Sequence, residues 1–195
     1  VETFLFSDLV GYTALAAERG DDAAAEVCVG FRSRVSDLLP AHDAEEVKFL
    51  GDGVMVRAAD PGRAVSLGLK IVQASDVPVR VGVHTGPAAH RDGDWFGTTV
   101  NVASRLCSSA GDGQVLVSEE TLRAAGDLDG VHVGERRLHW LRNLREPVAA
   151  HLTFPAPQPS LRDRVIRFLR DALKRLDRRH AALCPHRRSA RGVVA

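Results

Sequence analysis

Glu46-Val47-Lys48-Phe49-Leu50-Gly51-Asp52-Gly53-Val54-Met55-Val56-Arg57-Ala58 lies in the first third of the 195-residue chain and decides how the rest is read. Two short runs rich in apolar and β-branched residues, 46–50 and 54–58, flank Gly51-Asp52-Gly53. Asp-Gly favours the positive φ angles of a tight turn, so the segment reads as a β-hairpin. Upstream, Thr3-Phe4-Leu5-Phe6-Ser7 is a continuous apolar run of strand length ending at Asp8, which marks a strand buried on both faces. Downstream, Val79-Arg80-Val81-Gly82-Val83 alternates with the period of two that a strand requires.

Helical spacing fills the intervals. Leu9 to Arg19 and Asp22 to Leu39 carry apolar residues every three or four positions, the second stopped by Pro40. In 61–74, Ala64, Leu67, Ile71 and Ala74 share a face, and 98–110 is again helical. A strand is expected over 114–117, then a short helix over 118–125 capped by Ser118, with Glu119 and Glu120 in its first turn. Segments near Val131, Leu138 and Ala150 read as a late β-meander. The order is that of an α+β fold of the ferredoxin-like, split βαβ kind, with a central antiparallel or mixed sheet and helices on one side.

Composition removes several classes. Hydrophobic residues make up 45% and charged residues 26%, as in ordinary globular domains, which argues against disorder and disulfide scaffolds. No apolar run reaches the roughly 18 residues of a membrane span, and Val1-Glu2-Thr3 does not begin like a secretory signal. Cys28, Cys107 and Cys184 are far apart and odd in number, so reduced thiols in a cytoplasmic protein are expected. The near-zero net charge hides a division. Residues 156–195 hold 11 Arg or Lys against 3 Asp, whereas residues 1–155 hold 15 against 22. A catalytic or binding domain over 1–154 is therefore expected to pass through a Pro-rich linker, 155–159, into a basic amphipathic helix over 160–183. A disordered tail, 184–195, would end the chain.

The chain has no Gly-rich phosphate loop of either common type, no His-Glu-x-x-His and no Gly-x-Ser-x-Gly. Taken singly, the remaining polar candidates have plain explanations. Asp8 reads as the N-cap of the next helix, Asp52 as a turn residue and Lys48 as the outward member of an alternating strand. Asp94 reads as loop, and Asn101 and Arg105, one helical turn apart, as a solvated helix face. The pair of acids says more than either alone. A strand end and a hairpin tip on the same sheet edge would bring two carboxylates together, an arrangement that oxygen-seeking divalent ions such as Mg²⁺ or Mn²⁺ relieve.

Four blocks are decisive together: Phe6-Ser7-Asp8-Leu9-Val10-Gly11-Tyr12-Thr13, Val47 to Gly53, Gly82-Val83-His84-Thr85-Gly86, and Gly93-Asp94-Trp95-Phe96-Gly97-Thr98-Thr99-Val100-Asn101-Val102-Ala103-Ser104-Arg105. In order and spacing they closely resemble the class III adenylyl and guanylyl cyclase catalytic domain over roughly residues 2 to 154. The short stretch between Gly86 and Asp94 is similar to that of the short-arm bacterial subgroup. The resemblance implies that Asp8 and Asp52 hold two divalent cations, that Lys48 and Asp94 contact the base, that Asn101 positions the ribose and that Arg105 stabilises charge at phosphorus. It also implies a head-to-tail homodimer in which the two acids of one copy face the other four residues of its twin. Adenine offers an acceptor at N1 and a donor at its amino group, which suits an ammonium beside a carboxylate, so ATP is the expected substrate and cyclic AMP the expected product.

Two other readings stay open. One is a guanylyl or dual-specificity cyclase, or a silent cyclase-like module that binds nucleotide or a partner. The other gives the basic C-terminal segment the main role, on nucleic acid or an anionic membrane surface. Only one aromatic, Phe168, interrupts its charges, which favours a dimerising or solvated helix instead. The chain opens directly on its first strand without Met, and an upstream sensor domain is expected.

Overall fold

The computed structural model describes residues 1–157, and the expected basic helix and tail lie outside the described residues. Residues Val1–Ala156 form one unit built on a seven-stranded mixed sheet of order β2-β3-β1-β4-β7-β9-β8. Its strands are β1 (Glu2–Leu9), β2 (Ala44–Phe49), β3 (Gly53–Ala58), β4 (Val79–Gly86), β7 (Val115–Ser118), β8 (Val131–His139) and β9 (Val148–Pro155). β5 (Ala89–Arg91) and β6 (Asp94–Phe96) form a separate two-stranded ribbon. The helices are α1 (Tyr12–Arg19), α2 (Asp21–Leu38), α3 (Pro61–Ala74), α4 (Thr98–Ser109) and α5 (Glu119–Ala125).

β1 is central and antiparallel to both neighbours, with Phe6 opposite Met55 on β3 and Gly82 on β4. Its side chains alternate between two cores, which explains the unbroken apolar run. Leu5 and Leu9 join Phe31 and Val35 of α2 and Leu67 and Ile71 of α3. Phe4 and Phe6 join Met55 and the α4 residues Ala103 and Cys107. Full burial of a side chain such as Phe31 or Leu67 contributes roughly 2 kcal/mol. Helices therefore cover both faces, and the expected one-sided arrangement gives way to α2 and α3 on one face and α4 on the other. The connection from β4 to the parallel β7 runs through α4, the crossover that parallel pairing demands.

α4 approaches the sheet more closely than a side chain would permit. A Cβ at Gly82 would lie 2.1 Å from the Cys107 amide nitrogen and 2.5 Å from the Ala103 carbonyl oxygen, so only glycine allows this helix to sit directly on β4. Local capping fixes other helix ends. Asp60 caps α3 by accepting the Arg63 N–H at 2.7 Å, Ser118 caps α5 through Thr121, and Pro40 ends the long helix in a 3₁₀ turn. The late meander is two strands, β8 and β9, the second running through Pro155 opposite Val131.

Candidate active site

Asp8 does not cap α1. That helix begins after Gly11, held at φ +77°, without a side-chain cap. Asp8 instead ends β1 on the α4 side of the sheet, the face of Phe4 and Phe6, and is bound by Arg80 directly across on β4. Arg80 donates Nη2–H and Nε–H to Asp8 Oδ2 at 2.6 and 3.0 Å. The Asp8 hydrogen bonds raise the guanidinium pKa above its usual value.

Asp52 sits one residue away across the ladder. Leu50 N–H donates to Gly53 C=O at 2.7 Å, closing a two-residue turn whose positive φ of 82° falls on Gly51. The positive φ falls on Gly51 alone, so Gly51 and not the Asp52-Gly53 pair supplies the turn's special conformation. The Leu9 N–H then donates to the Asp52 carbonyl at 2.9 Å, fastening the hairpin tip to the end of β1. Gly53 is Asp8's partner in register, and a Cβ there would meet Ser7 C=O at 2.9 Å and Asp8 Oδ1 at 3.3 Å. The two acids expected to converge thus lie at one end of the sheet, Asp8 on β1 and Asp52 in the turn that leads into β3.

Lys48 reaches the same face by a register shift. Glu46 opposes Val56, which belongs to the core under α2 and α3, and strict alternation would send Lys48 to that side too. A β-bulge between Glu46 and Lys48 places Lys48 opposite Met55, on the α4 side. There its Nζ donates to Asp94 Oδ2 at 2.5 Å, while the Trp95 N–H donates to Asp94 Oδ1 at 2.8 Å. Lys48 first and the Trp95 amide second hold the Asp94 carboxyl below the usual carboxylate range. Asp94 opens β6, so it belongs to a hairpin and not to a loop.

Asn101 and Arg105 lie one turn apart on α4, the first exposed and the second half-buried. Arg105 joins none of the ion pairs among the described residues. The helix they ride on is anchored by Val102, Ala103, Leu106 and Cys107. The Cys107 thiol donates to the Arg80 carbonyl at 3.3 Å, and burial pushes its pKa up to about 12, so it is a neutral packing group. The six expected residues therefore form two local groups, Asp8 with Asp52 and Lys48 with Asp94, beside the Asn101–Arg105 face. Arg80 and Trp95 went unnoticed in the sequence.

The domain model described as the adenylate and guanylate cyclase catalytic domain matches residues 2–139. The chain belongs to this family. A pH-sensitive adenylate cyclase of Mycobacterium tuberculosis is 38% identical over 154 residues, covering 72% of this chain and 38% of the relative. An adenylate cyclase of Streptomyces coelicolor is 39% identical over 127 residues, covering 60% of this chain and 33% of the relative. The cyclase domain thus spans less than half the length of these relatives. Among solved structures, the guanylyl cyclase Cya2 has a TM-score of 0.69 at 24% identity, covering 82% of this chain and 94% of its own. The adenylyl cyclase CyaB of P. aeruginosa has 0.67 at 24%, covering 80% and 95%. These likenesses establish the fold. No helix among the described residues is long and apolar enough to cross a membrane.

A divalent-ion site on this cyclase domain would have a simple donor set. No cluster of three or more His, Cys, Asp or Glu occurs among the described residues, so two carboxylates are what the protein itself offers at this end of the sheet. Two hard oxygen donors, with nucleotide phosphates to complete the shell, fit Mg²⁺ or Mn²⁺ and would not suit zinc's preference for nitrogen and sulfur. Arg80 supplies positive charge at that spot in the structure.

Proposed function

We propose that this domain converts ATP to 3′,5′-cyclic AMP and pyrophosphate at sites shared between two copies of the chain. The observation that carries this reading is the Lys48–Asp94 pair, closed at 2.5 Å on the sheet face that also bears Asp8. An ammonium and a carboxylate side by side present adenine N1 with a donor and the 6-amino group with an acceptor. Guanine meets the reverse pattern, and mispairing costs about 1 to 3 kcal/mol per group. Asp8 and Asp52 would hold two Mg²⁺ or Mn²⁺ ions, which when bound activate the 3′-hydroxyl and offset charge on the departing pyrophosphate.

The remaining work falls to this chain's own side chains. The 3′ oxygen forms its bond to the α-phosphorus as the bond to pyrophosphate breaks in line, and the hydroxyl proton is released. Arg105, without an ion-pair partner among the described residues, is available to the charge that builds on the α-phosphoryl oxygens. Asn101, one turn earlier and exposed, orients the ribose. Leu50 and Phe96 support sharing between copies, because these apolar side chains beside the two groups are 50% and 51% exposed and suit contact with a second subunit. In that pairing the acids of one copy face the base-contacting residues of the other. The signalling role, and any regulatory segment in a longer protein, belong to the same proposal.

The test is product formation from ATP and from GTP with Mn²⁺ across a range of protein concentrations. Cyclic AMP should dominate, with specific activity rising as dimers form. Purified protein that yields no cyclic nucleotide at micromolar concentration would refute the reading.

A further inference from the structure

We propose that Trp95 is a positioning residue for nucleotide selection, acting through Asp94 and braced by Arg57. This rests on the reading of Lys48 and Asp94 as the base-contacting pair. The problem it solves is mechanical. Asp94 opens β6, a three-residue strand paired only with β5, and an isolated ribbon of that size has little stability in water. A carboxylate that must discriminate between bases needs a firmer mount.

Trp95 provides it on three sides. Its indole meets the edge of Phe4, a fully buried β1 residue, with centroids 5.6 Å apart at 61°, an edge-to-face contact. The His90 ring from β5 lies 4.7 Å away, joining the two strands of the ribbon through the same indole. The Arg57 guanidinium stands 5.3 Å from the ring centroid, in cation–π range. Arg57 is itself pinned, donating to Glu2 at 2.6 Å and to Glu45 at 3.1 Å, so its charge is committed to β1 and β2. Meanwhile the Trp95 backbone N–H holds Asp94 Oδ1, leaving Oδ2 to Lys48. The indole contacts run to the protein scaffold, while the backbone of the same residue sets the carboxylate's rotamer. Loosening the ring should let Asp94 drift and blur the choice between ATP and GTP.

The experiment compares Trp95→Ala, Trp95→Phe, Arg57→Met, Asp94→Ala and Lys48→Ala in the full chain. Each is measured for kcat/KM with ATP and with GTP, and for equilibrium binding of both nucleotides, so that discrimination is read even where turnover is weak. Trp95→Ala should lower the ATP-to-GTP ratio on the order of tenfold, in the same direction as Asp94→Ala, with Trp95→Phe restoring most of it. Arg57→Met should give a smaller loss of the same sign. Equal decline with both nucleotides in Trp95→Ala, at an unchanged ratio, would mean the indole serves packing alone and would overturn the proposal. If Trp95→Ala does not fold by circular dichroism, an unchanged ratio in Arg57→Met overturns it. Unchanged ratios in both Lys48→Ala and Asp94→Ala would instead remove the reading beneath it.

Discussion

Arg80 on β4 grips Asp8 on β1 through two hydrogen bonds to one carboxylate oxygen, the shorter 2.6 Å long, at the end of the sheet where Asp52 also arrives. The guanidinium brings to Asp8 the positive charge that a divalent ion would bring in the proposed site. Removing it should leave two neighbouring carboxylates without compensation. Arg80→Gln is expected to destabilise the metal-free domain by about 1 kcal/mol, a drop of roughly 2 to 4 °C in thermal midpoint. Added Mn²⁺ should recover more of that loss in Arg80→Gln than it adds to the wild type. Melting curves with and without Mn²⁺ decide it, and identical responses would deny that Arg80 and the ion answer the same charge.

Sharing of sites between copies has a direct signature. Asp8→Ala and Arg105→Ala proteins, each inactive alone, should regain activity when mixed, because one of the two sites in a mixed dimer is then intact. Activity restored to about a quarter of the wild-type level at equal mixing fits random pairing, since half the dimers are mixed and each carries one working site. No recovery in a mixture that sedimentation shows to be dimeric would place all six residues in one subunit's site.

The bulge at Val47 turns Lys48 to the working face. Deleting Val47 removes the bulge but keeps Glu46 opposite Val56 and Lys48 opposite Met55, so Lys48 should remain on the α4 side. The deletion is expected to cost roughly 2 kcal/mol in lost packing of Val47 and to keep most of the ATP preference, and loss of that preference would show that the bulge itself aims Lys48 at Asp94. Replacing Val47 by Ala keeps the residue count, so it should cost only about 1 kcal/mol and leave ATP preference intact. Loss of preference in Val47→Ala would show that the side chain, not the register, matters.

Gly82→Ala tests the mount of Asn101 and Arg105. The added carbon cannot fit 2.1 Å from the Cys107 nitrogen, so α4 must lift from β4. A loss of about 3 kcal/mol or more is expected in chemical denaturation, together with a fall in kcat, because both side chains travel with the helix.

Proton linkage should appear near neutrality. His84 is largely buried, its Nδ1 is 2.8 Å from Ser118 Oγ, and Glu120 lies 4.0 Å away. Burial lowers its pKa and Glu120 only partly opposes this. Burial and Arg137 lower His139 in the same direction. In the unfolded chain these imidazoles take up protons first, so stability is fully present above about pH 6.5 and falls as pH drops towards the folded-state values. Thermal midpoints between pH 7.5 and 5.5 should decline, and His84→Gln should flatten the slope while leaving the His139 share. A slope unchanged in His84→Gln would dismiss the assignment.

The acids were legible because each stands in a local pattern, a strand end or a Gly-Asp-Gly turn, whose geometry follows from neighbouring residues. Their convergence needed only that the hairpin pair with β1. Lys48 was recognisable by its block, but its direction depends on a bulge that no side-chain pattern in Glu46-Val47-Lys48 announces. Arg80 read only as one member of an alternating strand, and only the cross-strand register with Asp8 gives it a task. β5 and β6 escaped because three residues are too few for periodicity and His90-Arg91-Asp92-Gly93 favours turn over strand. α4's place on the opposite face was hidden in one glycine, whose meaning appears only when a helix rests on it.

The bond from Leu9 N–H to the Asp52 carbonyl makes the two carboxylates parts of a single stiff frame. Such a frame has little freedom to open and close its own jaws. In the proposed shared site, an input that switches the chemistry on or off would act on what is brought up to the acids, by sliding or turning the opposite half-site, and leave the acidic end itself unaltered.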